Sequence, residues 1–380
     1  MSLKINKSTL LLLLLCLFIG MSVVATNIGS SLRYIKYTIP IFFSLFLLIN
    51  YKKIKVYRVP IKNLQLFLVL IIINFIYSLF TFNLSIRFIE ESVLILIPIL
   101  AVIVSTSIIK TPIHNILDYL FVVYGIVFFV GNSQFFFNPN IVNEFIDALR
   151  TSTMPTESWM AFPFGLFSLH YILQRRKLRA FIALLFFVLA FKRISILAAC
   201  LALLIFWFFY KYRKKTFNPN RAFVWFIVLN SALLIIIYNF IQGNFDAAIK
   251  DITGLSPNHF TQGRLRIYTD SVNHFDDNLL FGNSLGSTNL FLKENFPNIH
   301  FLHSDILKII LELGIVSYLI WLITFFKINL VSAKAVPILI FMNILFLSDN
   351  VFIYFDTLFI FYLMIVLYHN NNLDERRESI

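Results

Sequence analysis

Twelve apolar segments constrain this chain more than any other feature of its sequence. A membrane-spanning helix needs about 20 mostly apolar residues. Candidate segments, some of them shorter, occupy 8–28, 34–50, 64–82, 88–109, 113–131, 156–173, 178–191, 193–210, 222–241, 304–326, 335–349 and 350–368. The chain is 59% hydrophobic and 13% charged, whereas a soluble domain is about 25% charged. The sequence therefore predicts an all-α, polytopic membrane bundle of about 12 transmembrane helices.

The placement of the basic residues predicts the orientation of these helices. Lys and Arg concentrate in 52–62, 175–179 and 211–221, which fall on one side when the helices are threaded in order. Because cytoplasmic loops carry an excess of Lys and Arg, both termini are predicted to be cytoplasmic. The net charge of +13 is then a topology signal, and nucleic acid is not an expected partner.

One long segment, 242–303, separates the predicted helices 9 and 10 and lies on the outer face. The predicted organisation is therefore helices 1–9 in residues 1–241, this large outer loop, helices 10–12 in 304–368, and a cytoplasmic tail in 369–380. The predicted helix centres are nearly free of charge, and the polar groups gather at the outer face. Transporters place polar groups near the bilayer midplane, often beside broken helices. The pattern favours chemistry at the outer membrane surface over transport.

Within the outer loop, residues 264–275 are predicted to form a short amphipathic helix. Leu265, Tyr268, Val272 and Phe275 recur at the spacing of one helix face. Arg264 lies at the start of this helix and has two interpretations. It is either a solvated charge or the partner of an Asp, or it is a forked donor that binds phosphate oxygens.

Two further basic residues, Lys192 and Arg193, lie on the outer side against the general charge trend. Either they extend to lipid phosphates, or they bind a diphosphate. No metal motif accompanies them. The adjacent Asp276 and Asp277 would diverge on a helix, and no nucleotide-binding glycine loop occurs. Neither a metal nor a cofactor is expected.

The stretch "FLHSDILKIILELGIV" (301–316) places charge beside an apolar segment. Ser304 is the predicted N-cap of the helix, and Asp305 is its first residue, where an acid complements the helix dipole. Asp305, Lys308 and Glu312 share one stripe and are expected to neutralise one another facing the bundle interior. His303 is left without a structural role, so it is a candidate catalytic residue.

Three motifs, in this order and with the single large outer loop, resemble the bacterial O-antigen polymerase (Wzy) and O-antigen ligase superfamily. They are "FKRISILA" (191–198), "GRLRIYTDSVNHFDDNLLFGNSLGS" (263–287) and "HSDILKIILELGIVSYLIW" (303–321). The chain departs from the family pattern where Tyr268 stands for Trp and Ser304 for Asn. The N-terminal half is similar only in its hydropathy.

The resemblance implies a GT-C-like fold in the bacterial inner membrane and a metal-independent glycosyltransferase. Such an enzyme polymerises oligosaccharide units carried on undecaprenyl diphosphate, for O-antigen or for capsular or other exopolysaccharide. By matching motif positions, Arg193 and Arg264, with the neighbouring Lys192, would bind the donor diphosphate. His303 and Arg264 would be catalytic. The partners implied are the lipid-linked glycan, membrane lipid and a possible chain-length regulator. An O-antigen ligase is the alternative, and a lipid-linked glycan flippase is a weaker one.

Overall fold

The computed structural model describes residues 7–27, 29–49, 57–140, 143, 156–212, 218–254, 256–261, 263–299 and 301–378. These ranges form helices and turns and contain no β-strand. The α-helices are α1 (Lys7–Asn27), α2 (Ile39–Ile49), α3 (Arg58–Phe80), α4 (Phe88–Ile108), α5 (Ile113–Gly131), α6 (Ser133–Phe136), α7 (Ala161–Leu173), α8 (Lys177–Leu189), α9 (Arg193–Tyr212), α10 (Pro219–Ile241), α11 (Asp246–Thr253), α12 (Pro257–Phe260), α13 (Arg264–Phe275), α14 (Ser287–Asn295), α15 (Asp305–Asn329), α16 (Ala335–Ser348) and α17 (Phe355–Glu378). Short 3-10 helices occupy Ser31–Thr38, Asp276–Asn278 and Val351–Ile353.

Six of these helices are long and apolar enough to cross a membrane: α1, α3, α4, α5, α10 and α15. Helices α7, α9 and α16 are shorter and also apolar. The chain is therefore an all-α, multi-pass membrane protein, as predicted. The count of twelve spans stays a prediction. Helices α7 and α8 have only 13 residues each, or about 20 Å, against a hydrocarbon core about 30 Å thick.

Helix α17 lies at the centre of the bundle. Every residue from Phe355 to Tyr368 is buried, and the helix packs against α3, α4, α5 and α7. From Leu358 to Tyr368 its sequence is apolar on all sides, and such a helix segment is stable only when neighbours cover it completely. The helix therefore holds its first residues, and the turn that precedes them, in a fixed position.

The predicted outer loop is folded and has an apolar core of its own. Helix α13 spans Arg264–Phe275, which confirms the predicted amphipathic helix. Its apolar face packs with α14 and with Leu307 and Leu311 on the first turns of α15. The loop is thus anchored on the helix that follows it.

Helix α15 is broken at Gly314, whose φ of 89° and ψ of 162° are not helical. The apolar pattern predicted a continuous span over 304–326, without this break. Backbone polar groups freed inside a membrane protein need new partners, since no water replaces them. The N–H groups of Ile315 and Val316 donate to the carbonyls of Leu279 and Leu280, at 2.9 and 3.2 Å. The outer loop therefore enters the break and satisfies it.

Two glycines allow this close approach. Gly282 in the loop has a φ of 83° and Gly314 a φ of 89°. A Cβ atom on Gly282 would lie 2.5 Å from the Gly314 nitrogen, and one on Gly314 would lie 2.6 Å from the Gly282 nitrogen. Both positions therefore need glycine, for conformation and for space. The glycines of the second and third sequence motifs are in contact in the folded chain.

Asn74 on α3 fastens the loop to the broken helix. Its side-chain amide donates to the carbonyl of Glu312 at 2.9 Å. Its side-chain oxygen accepts from the N–H of Leu285 at 3.0 Å. One buried amide thus joins α3, the outer loop and α15, and fixes the loop relative to the bundle.

Candidate active site

The turn between α16 and α17, residues 348–350, brings together three of the four predicted site residues. The Arg264 guanidinium donates through Nη1 to the carbonyl of Ser348 at 3.2 Å. The Lys192 ammonium lies 2.5 Å from Oδ2 of Asp349. The Nδ1 atom of His303 lies 4.0 Å from Oδ1 of the same carboxylate. Side chains from three separate segments therefore meet at this turn, which we call the 348–350 turn.

His303 is held at both ends of its backbone. Its N–H donates to the side-chain oxygen of Asn350 at 3.0 Å, and its carbonyl accepts from the Tyr268 hydroxyl at 2.9 Å. Its φ of 57° lies in the left-handed region, which is uncommon for residues other than glycine. Such a conformation persists where the surroundings over-determine it, and it occurs often at functional sites. The side chain is 37% exposed, so a fixed imidazole remains accessible.

Helix α13 presents Arg264 and Tyr268 to this site from one face. Gly263 precedes the helix with a φ of 85°. Arg264 and Tyr268 are four positions apart in the sequence, which places their side chains about one helical turn apart on the same face. Burial is the main cause that raises the pKa of Tyr268 to about 12; Arg264 opposes it and Asp349 adds to it. The hydroxyl therefore stays protonated at neutral pH and continues to donate to His303.

Asp349 is the centre of the site, and it was not among the residues predicted from the sequence. The residue is 1% exposed. Burial raises the pKa of its carboxyl, but nearby His303, the Lys192 ammonium and the N–H of Asn350 outweigh burial and lower it to about 2. The carboxylate is therefore ionised at neutral pH. The only sequence signal was an acid in "SDN" (348–350), between two apolar segments.

The two basic residues at the start of α9 have different surroundings. Lys192 pairs with Asp349, and its ammonium lies 4.4 Å from the centre of the Phe162 ring. Its charge is thus largely compensated, which neither interpretation of the sequence foresaw. Arg193 is exposed, and the described part of the chain offers its guanidinium no hydrogen bond or ion pair. Arg193 therefore keeps its charge available; it follows Lys192 in the sequence and does not itself bind the turn.

The start of α15 is tied to the same turn. Ser304 is the N-cap and accepts from the N–H of Leu307 at 3.2 Å, as predicted. The N–H of Asp305 donates to the carbonyl of Asp349 at 3.2 Å. The Asp305 carboxylate accepts from the N–H of Phe352 at 3.0 Å. These bonds position His303, which directly precedes the cap.

The predicted charge stripe on α15 is buried, and Glu312 and Asp305 attract the Lys308 ammonium as expected, but the direct ion-pair partner of Lys308 was missed. Lys308 pairs with Glu91 on α4 at 2.7 Å; within the described ranges, neither Asp305 nor Glu312 forms an ion pair with it. Glu312 instead accepts from the N–H of Thr288 on α14 at 3.2 Å. The charges of α15 therefore bind the outer loop and α4, and they hold the region around the break together.

The described residues include no group of three His, Cys, Asp or Glu side chains that could hold a metal ion. Basic side chains supply positive charge at the site. Because Asp349 compensates the charge of Lys192, the available positive charge is that of Arg264 and Arg193. Arg264 also keeps guanidinium N–H donors beyond the one that donates to Ser348. The site can therefore offer cationic hydrogen-bond donors to an anion, next to an accessible imidazole.

Residues 178–322 match the Wzy_C family model, which is described as O-antigen ligase. The match covers 145 of the 380 residues, and we call these residues the Wzy_C segment. The match supports the predicted O-antigen ligase and polymerase superfamily. No curated protein gives a significant match to the chain.

The Wzy_C segment contains all four predicted site residues, and it also contains both glycines of the loop–helix contact. It does not contain Asp349, Asn74 or Glu91. These three residues lie in other parts of the bundle and reach the Wzy_C segment through the contacts given above. The segment therefore depends on the surrounding helices for the geometry of its candidate site.

Proposed function

We propose that this protein polymerises oligosaccharide repeat units carried on undecaprenyl diphosphate, at the periplasmic face of the bacterial inner membrane. The observation that carries the proposal is the convergence of Arg264, His303 and Lys192 on the 348–350 turn, within and beside a Wzy_C segment. Both termini would be cytoplasmic, and the polymer would be O-antigen or another surface polysaccharide.

The proposed donor is a glycan joined through its anomeric carbon to a lipid diphosphate. The acceptor hydroxyl oxygen attacks that carbon, the bond from carbon to the diphosphate oxygen breaks, and its electron pair stays on the diphosphate. Negative charge therefore grows on the leaving group, and fixed cationic donors stabilise it. Arg264 and Arg193 would bind the diphosphate, and the forked geometry of a guanidinium suits its oxygens.

The proton of the acceptor hydroxyl needs a base. His303 would take it at an imidazole nitrogen; its Nδ1 lies 4.0 Å from the ionised Asp349 carboxylate and 3.5 Å from the side-chain amide nitrogen of Asn350. The carboxylate would stabilise the imidazolium that forms when the proton is taken up. Cationic side chains supply the charge that a metal ion supplies in other transferases, so the reaction would need no metal.

Lys192 has a positioning role in this scheme. Its ammonium already compensates Asp349, so it would set the position of the carboxylate and add only residual attraction for the diphosphate. The lipid part of the donor would lie in the bilayer beside the helices, and a chain-length regulator would be a separate partner.

An O-antigen ligase, which transfers finished glycan to lipid A core, is the second candidate. The description of the matching family favours it, and it would use the same residues. The two activities differ in the acceptor and not in the chemistry at the anomeric carbon.

The glycan made by a deletion strain separates these candidates. Lipid A core that carries a single repeat unit would support the polymerase. Bare core with accumulated lipid-linked polymer would support the ligase. Loss of all lipid-linked glycan from the outer face would contradict both and would indicate a flippase. Complementation with the intact gene must restore the long-chain ladder.

A further inference from the structure

A basic cavity lies at the opposite end of α7 and α8 from the candidate active site. It is lined by His114, Asn115, Asp118, Arg176, Lys177 and Arg179, together with Leu178, and has a volume of about 480 Å³. Phe162 and Lys192 lie at the other ends of the same two helices. A 13-residue helix is about 20 Å long, so the cavity is separate from the diphosphate site.

Asp118 organises two arginines in this cavity. Its carboxylate accepts from Arg176 at 2.9 and 3.2 Å and also from Arg179. The Tyr171 hydroxyl donates to the same carboxylate at 2.9 Å. Both guanidinium groups engage it through Nη1 alone, so each keeps further N–H donors for another acceptor. The carboxylate thus holds two forked donors side by side.

The charges of the lining residues do not cancel. Arg176, Lys177 and Arg179 contribute three positive charges, and Asp118 contributes one negative charge, which leaves two positive charges with His114 neutral. The Lys177 ammonium has no ion pair with any described residue. Such a cavity attracts a phosphate group.

The surroundings indicate that the phosphate belongs to a lipid. Leu178 lines the cavity and is 73% exposed, and Phe181 and Leu185 follow it on α8 at 66% and 48%. These three residues recur at i, i+3 and i+7, so they form one exposed apolar stripe along the helix. An acyl chain can lie on this stripe while its headgroup occupies the cavity.

We propose that this cavity binds the phosphate headgroup of an anionic phospholipid. Basic pockets between transmembrane helices on the cytoplasmic side bind such headgroups, and the topology proposed above places residues 175–179 on that side. Arg176 and Arg179 bind the phosphate oxygens, Lys177 adds charge, and the acyl chain follows α8. The site does not take part in glycosyl transfer.

Native mass spectrometry of the purified full-length protein in detergent tests this proposal. Phosphatidylglycerol is titrated against phosphatidylcholine, and bound lipid is counted. We expect phosphatidylglycerol to bind preferentially. The R176Q/R179Q variant should bind it about 30-fold more weakly, since each basic residue near a membrane surface contributes about fivefold. Lys177→Gln, which leaves Asp118 paired, should bind it about fivefold more weakly.

The matched control is Arg175→Gln, because Arg175 is exposed and does not line the cavity. It should bind phosphatidylglycerol more tightly than Lys177→Gln does, because Arg175 does not contact the headgroup. Adding D118N to R176Q/R179Q removes the carboxylate that the double variant leaves without its arginines. Lipid binding should remain weaker than in the wild type. Equal binding of both lipids, or an unchanged affinity in Lys177→Gln, would overturn the proposal. Displacement of the lipid by millimolar inorganic phosphate would also overturn it, because the site would then recognise free phosphate.

Discussion

The Nδ1 atom of His303 lies 4.0 Å from Oδ1 of Asp349, while the Lys192 ammonium lies 2.5 Å from Oδ2. One buried carboxylate therefore faces two of the residues that the sequence nominates for the site. A separation of 4.0 Å is too long for a direct hydrogen bond. It is short enough for electrostatic attraction, or for a tightening of the contact when substrate binds.

Asp349→Asn should lower kcat by about 10- to 100-fold, the usual cost of losing a residue that orients a functional side chain. KM for the lipid-linked donor should change little, because Arg264 and Arg193 remain. Steady-state kinetics of the purified variant would measure both constants. Asp270→Asn serves as the control, since its carboxylate pairs with exposed Arg266 in the same loop. An unchanged kcat in Asp349→Asn would contradict the proposal that Asp349 positions His303.

The pKa of Asp349 predicts a loss of stability in acid. It is about 2 in the folded chain and near 3.9 in an unfolded one. A carboxyl whose pKa is lowered on folding stabilises the folded state at pH values above its unfolded pKa, here by roughly 2–3 kcal/mol. This stabilisation is lost as the pH falls from about 4 to 2. In detergent, the difference in unfolding free energy between the wild type and Asp349→Asn should shrink over that range. A difference that does not vary with pH would refute the assignment.

Gly314→Ala should destabilise the protein by about 3–5 kcal/mol, because it combines a strained φ with a backbone clash. Gly282→Ala should have the same effect. Gly254→Ala separates the two causes, since Gly254 has a φ of 71° but open space around it. It should cost only about 1 kcal/mol. Thermal unfolding in detergent would rank the three variants, and equal midpoints would argue against the close loop–helix contact.

Lys308→Met should lower the free energy of unfolding by about 3–5 kcal/mol, since it leaves the buried Glu91 without a counter-charge. The double variant Glu91→Gln/Lys308→Met removes that carboxylate charge too. It should recover part of the loss, measured by the same unfolding experiment. If the double variant were no more stable than Lys308→Met, the pairing with Glu91 would be wrong.

The sequence predicted correctly those structural elements that depend only on residues close together in the chain. The apolar spacing in 264–275 predicted α13, and Ser304 followed by Asp305 predicted the start of α15. Hydropathy predicted the membrane class for the same reason, since each apolar segment must be buried or meet lipid wherever it lies.

The centre of the site could not be predicted, because its contacts join distant parts of the chain. Asp349 is 157 residues from Lys192 and 46 from His303 in the printed numbering, and no periodicity links them. Glu91 was likewise invisible as the partner of Lys308, since a helix wheel contains only one helix. The break at Gly314 was hidden as well, because a single Gly in an apolar run is tolerated in membrane helices.

Transfer by the purified protein tests the central claim most directly. The protein would be reconstituted in vesicles with a repeat unit on undecaprenyl diphosphate, in the presence of EDTA. The wild type should release undecaprenyl diphosphate and form a glycan ladder. His303→Ala and Arg264→Ala should each lower the rate at least about 100-fold. His274→Ala and Arg266→Ala, which alter exposed residues on the same helix as Arg264, should retain it. Undiminished ladders from His303→Ala and Arg264→Ala would contradict the account.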